Sequence, residues 1–191
     1  MEAKQWRKLN ELKHDLPGGH FARISKYQAR STYTRQLRST KIDGLSSATA
    51  EGYFVMFKLS LAYSSIELIN SSVLNNLKIV SQSTARMIMA GKFDKLIGAM
   101  AESPKINGYK SVIDHKWRES LSLDCDLLPF IRQARNLMFH GAFSPSEAGL
   151  TILAKQSQLL SLAEEALSQT DDALIARVTK LYAQRYRSKK N

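Results

Sequence analysis

The chain has 191 residues, 43% of them apolar, and 28 Lys and Arg against 17 Asp and Glu, a formal charge of +11. That composition excludes wholesale disorder and gives one domain enough apolar material for a real core. The charge suits a polyanionic partner, nucleic acid ahead of a membrane surface, and the lone Cys125 excludes an internal disulfide.

The opening stretch, MEAKQWRKLNELKHDL, has charges every few residues and no apolar h-region, so no signal peptide is expected and the cytoplasm is the expected location. Residues 1–41 carry ten basic residues, among them Arg23, Lys26, Arg30, Arg35 and Arg38, against Glu2, Glu11 and Asp15. Pro17-Gly18-Gly19 divides this region into two short, weakly helical pieces. It reads as a basic N-terminal arm, 1–41, either binding phosphates or conferring solubility, ahead of a helical bundle at 42–191.

From Asp43 the pattern is regular. Val55, Leu59, Ala62, Ile66, Ile69 and Val73 recur at helical spacing, and Phe54, Phe57, Leu61 and Leu68 widen the stripe. Lys58, Glu67 and Asn70 interrupt it, which makes a core helix and not a membrane span. The remaining row holds Ser60, Ser64, Glu67, Asn70 and Ser71. It is either a solvated side or the polar wall of a site, with Glu67 the candidate residue.

Shorter helices are predicted over roughly 74–90 and 92–102. The next begins near Asp126, with Asp124 and Asp126 as caps and Pro129 in its first turn. Leu127, Ile131, Ala134 and Met138 form its apolar stripe, and Gly141 ends it after His140. Ser144-Pro145-Ser146-Glu147 is a capping box that opens a helix to about Ser168, and a last helix starts near Thr170-Asp171. No sustained alternation of apolar and polar residues occurs, so the fold class is all-α, a helical bundle.

No phosphate-binding glycine loop, GxSxG elbow, HExxH or zinc-ligand spacing is present, so neither a metal nor a cofactor is expected. What remains is RQARNLMFHG, residues 132–141. Arg132, Asn136 and His140 follow one another at i, i+4, i+8, and Arg135 leans onto the same patch. A cation, an amide and an imidazole are thus expected on one face, opposite the apolar stripe. Phosphodiester cleavage uses these groups: His moves a proton near neutral pH, and Arg neutralises charge on the phosphate.

Arg135, four intervening residues and His140 resemble the R-x(4–6)-H motif of the HEPN superfamily, with Asn136 in the polar position after the Arg. LAYSSIEL, residues 61–68, is similar to that family's earlier core helix, with Glu67 at its acidic position. The resemblance implies an HEPN-like bundle and a metal-independent endoribonuclease of the toxin–antitoxin or defence kind. Two chains would pair so that Arg135 and His140 of both line one cleft, with Asn136 orienting His140 or binding substrate. Arg132 and the cations of the arm, Arg23, Lys26, Arg30, Arg35 and Arg38, are the candidate RNA contacts. A protein antitoxin or inhibitor is a further implied partner. Silencing by nucleotide transfer to a Tyr two residues after the His is not expected, because Ala142 stands there.

Arg7 and His14 also satisfy the bare motif, but in an irregular stretch with no buried helix beneath. Tyr27 and Tyr33, set among the arm's arginines, are candidates for stacking on bases. The rival reading is a non-catalytic module that holds nucleic acid or an acidic protein by charge.

Overall fold

A computed structural model of the chain describes residues 7, 9–12, 16, 19–39, 41, 43–102, 115–139 and 144–188. Its longer elements are α1 (His20–Gln36), α2 (Ser47–Asn70), α3 (Gln82–Met89), α4 (Asp94–Glu102), α5 (His115–Glu119), α6 (Leu128–Phe139) and α7 (Leu153–Ser188). No strand occurs among the described residues, and the protein is an all-α bundle. Among the described residues no helix is long and apolar enough to cross a membrane.

The centre is α2. Ser46 caps it by accepting a hydrogen bond from the Thr49 backbone N–H at 3.2 Å. The predicted stripe of Val55, Leu59, Ala62, Ile66 and Ile69 is fully buried. Yet α1, α6 and α7 all pack on this one helix, so its polar row is covered at Ser60 and half-covered at Ser64 and Asn70, while Glu67 and Ser71 are exposed. Ser60 and Ser65 are buried and satisfied locally, their hydroxyls donating to the carbonyls of Met56 and Leu61 at 2.8 Å. Lys58, also buried, reaches Glu164 of α7 at 2.9 Å.

The described part of 1–41 differs from the expected loosely packed arm. Leu9, Leu16, Ile24 and Tyr27 are core residues. On α1 the buried positions are Ile24, Tyr27, Ser31 and Thr34, a helical stripe whose second half is small and polar. Thr34 turns its hydroxyl to the Arg30 carbonyl, 2.8 Å away, and so packs without an orphaned group. The Tyr27 hydroxyl donates to Asp171 at 2.6 Å, and Arg35 pairs with the same carboxylate at 2.6 Å.

The expected helices at 74–90, from Ser144 and from Thr170 also change. Residues 71–80 are turns and irregular chain, pinned by Asp126, which accepts from the Ile79 N–H at 3.0 Å, and by Gln169, which accepts from the Val80 N–H at 3.0 Å. Residues 145–151 are turns, with Gly149 at φ +67°, and the helix begins only at Leu153. It then runs unbroken through Thr170-Asp171. Thr170 bonds back to the Ala166 carbonyl at 2.7 Å, and the Asp171 carboxylate is taken by Tyr27 and Arg35 instead of capping a new helix.

Candidate functional site

Helix α6 begins where Asp126 accepts the Leu128 N–H at 2.9 Å, and Pro129 sits in its first turn, where no N–H is missed. Leu127, Phe130, Ile131, Ala134 and Leu137 are fully buried, and the Phe130 and Phe93 rings lie 6.0 Å apart. The helix is described to Phe139. His140 lies outside the described residues, as do Gly141 and Ala142, and as does His14 of the second motif match.

Arg135 is held from several sides. Its Nη1 donates to Asn136 Oδ1 at 3.1 Å, and its Nη2 lies 3.9 Å from Glu67 Oε2. The guanidinium carbon stands 5.4 Å from the centre of the Phe139 ring and 5.9 Å from that of Tyr63, a placement that favours the cation. Its Nε is buried with no hydrogen-bond partner.

Asn136 departs from the expected polar face. It is buried, its Nδ2 donating to Gln133 Oε1 at 3.4 Å while its Oδ1 receives Arg135. The cause is coverage. Gln133 and Asn136 are buried alongside Phe130 and Leu137, so α6 is enclosed over a wider arc than the apolar stripe alone defines. The amide therefore orients Arg135 in this structure. Met138 is half-buried and receives a contact from the Ser60 hydroxyl at 3.4 Å.

Sequence reasoning passes over Tyr63, although its spacing of four from Glu67 puts both on one helix face. Burial pushes the Tyr63 hydroxyl above its ordinary value and the Glu67 carboxylate adds to that; Arg132 and Arg135 oppose it. Arg132 is thus on the same side of the bundle as Arg135 and Glu67. Glu67 itself is exposed.

Arg135 and Glu67 line a cleft of about 620 Å³ formed with Ser64 and Ser65 of α2 and Arg30, Tyr33 and Thr34 of α1. Of the arm's candidate contacts, Arg30 therefore joins the motif arginine. Arg23, Lys26 and Arg38 are exposed, and Arg38 donates to the carbonyls of Arg35 and Leu37. Arg35 is committed to Asp171. Tyr27 is fully buried and bonded to Asp171, so it is no stacking platform; Tyr33 is exposed.

Among the described residues no group of three His, Cys, Asp or Glu side chains is arranged to hold a metal. Compared with known proteins, the chain matches no family model, no curated protein and no solved structure.

Proposed function

We propose that the protein is a metal-independent endoribonuclease of the HEPN type. Arg135 carries the reading: a guanidinium set in a cleft, oriented by Asn136, with its Nε left without a partner. His140, the next residue after the described end of α6, takes the proton of a ribose 2′-hydroxyl. The 2′-oxygen attacks the adjacent phosphorus, the P–O5′ bond breaks, and the leaving oxygen takes up a proton. Arg135 neutralises the charge that builds on the phosphate oxygens. The products carry 2′,3′-cyclic phosphate and 5′-hydroxyl ends. One Arg and one His per chain is sparse for this chemistry, so two chains pair about a twofold axis and share one cleft. Exposed cations such as Arg23, Lys26 and Arg30 add salt-sensitive affinity for RNA. A defence or toxin role, in the cytoplasm and checked by a protein inhibitor, belongs to the same proposal.

The test is incubation with labelled RNA in EDTA. The wild-type protein should cut, Arg135→Ala and His140→Ala should not, and His14→Ala should cut as the wild type does. A wild type inert on varied RNAs, or a His140→Ala variant that cuts normally, defeats the proposal. One observation favours a non-catalytic binding module instead: Arg135 already has Glu67, Tyr63 and Phe139 around it. That reading takes over where RNA is bound with salt dependence and never cut.

A further inference from the structure

Tyr33 lines two neighbouring hollows. One is the cleft that contains Arg30 and Arg135, about 620 Å³. The other, about 420 Å³, is bordered by Asn10, Gln28 and Gln36. Ala29 and Tyr33 border both, so the hollows adjoin along α1, with the tyrosine standing between them. Both volumes fall in the range of small-ligand sites, about 300–1,000 Å³.

The two hollows differ in chemistry. The first holds the cations: the Arg30 guanidinium makes no ion pair among the described residues, and α1 has no acidic residue along its length. The second holds amides. Gln28 Nε2 donates to Asn10 Oδ1 at 3.2 Å, and the exposed Gln36 brings an amide with both a donor and an acceptor to the same hollow. Amides suit the hydrogen-bonding edges of bases, and guanidinium suits phosphate. An exposed aromatic ring alone means little. A ring that is 57% exposed and divides an amide hollow from a cationic one is a stacking platform with its flanking contacts in place.

We infer that α1 carries a nucleotide-binding subsite for an unpaired stretch of RNA, in which Tyr33 stacks on a base, Gln36 meets the base edge, and Arg30 holds the phosphate on the Arg135 side. The choice of RNA as ligand rests on the ribonuclease proposal. The subsite is what brings a single strand past Arg135, and a duplex, whose bases are already stacked, gains nothing from it.

The experiment measures fluorescence anisotropy of a short labelled 2′-O-methyl RNA, which lacks the attacking hydroxyl, as the full-length protein is titrated in. Tyr33→Ala should weaken binding of the single strand roughly tenfold, and Tyr33→Phe should bind as the wild type does. Arg30→Ala should flatten the dependence of log K on log salt by about 0.7, the loss of one phosphate contact on a single strand. A duplex of the same sequence should bind Tyr33→Ala and wild type alike. Thermal melts run in parallel show that each variant is folded. Equal binding of wild type and Tyr33→Ala overturns the inference, as does a Tyr33→Phe variant as weak as Tyr33→Ala, or a wild type that binds no single strand. A wild type that binds with this pattern yet leaves unmodified RNA intact refutes the ribonuclease and keeps the subsite.

Discussion

Gly52 sits in the second turn of α2, inside the helix, where alanine is ordinarily the better residue by about 1 kcal/mol. Here Gly52→Ala should destabilise. A Cβ at this position would lie 2.7 Å from Pro145 Cβ and 3.1 Å from the Leu150 carbonyl oxygen. Neither neighbour yields easily. Pro145 is a closed ring whose carbonyl accepts the Leu150 N–H at 2.7 Å, and the Leu150 carbonyl is held by Gln156 Nε2 at 2.8 Å. Overpacking of this kind costs about 1–3 kcal/mol, which exceeds the gain in helix propensity by about 1 kcal/mol. In a chain of this size that lowers Tm by about 2–4 °C. Gly98→Ala is the matched control, a helical glycine in α4 with nothing within 4 Å of the added methyl. It should raise Tm by a similar amount. Both shifts are read by thermal denaturation followed by circular dichroism. If Gly52→Ala raises Tm as Gly98→Ala does, the seat of the 145–150 turn on α2 is wrong. That turn is where the described chain resumes after α6, on the far side of the segment containing His140.

Two further outcomes follow from the buried polar groups. Burial pushes the Asp171 carboxyl above the usual aspartate range, even though Tyr27 and Arg35 oppose the shift. A raised folded pKa means that the folded state holds the proton more tightly, so this group's contribution grows as pH falls towards the ordinary aspartate value and is lost as pH rises through the raised one. The stability of the wild type relative to Asp171→Asn, measured by chemical denaturation, should therefore increase on acidification; a flat difference removes the buried-carboxylate explanation. Asn136→Ala, which strips the acceptor from Arg135 and the donor from Gln133, should cost about 1 kcal/mol, and an unchanged denaturation midpoint would show that the amide bridge contributes nothing.

Periodicity revealed α2 and α6 because their buried residues are mostly large and apolar. It failed on α1 for the opposite reason: Ser31 and Thr34 are buried there and read as surface. The continuity of α7 was invisible because Thr170 and Asp171 are cap-forming residue types. What diverts Asp171 is a pair of side chains more than a hundred residues away. At the candidate site, the sequence singled out Arg135 and Glu67 in two separate segments without setting them side by side, and the structure brings them to 3.9 Å. It set Asn136 on an open polar face and the structure buries it beside Arg135, since helix spacing gives an angle but not how many neighbours cover that angle. The contributions of Arg30 and Tyr33 to the cleft needed the docking of α1, which no local pattern encodes.

That docking has a consequence for how the protein is made. Tyr27 and Arg35 find Asp171 across separations of 144 and 136 residues. At synthesis rates of about 5–20 residues per second, these two side chains wait roughly 7–30 s for Asp171 to be made. Through that interval α1 has α2 to pack against, while the Tyr27 hydroxyl and the Arg35 guanidinium lack their carboxylate. Closure of so long a loop is slow, so the link from α1 to α7 forms late even where α1 already rests on α2, and translation arrested before Asp171 yields a chain whose first long helix has no anchor on α7.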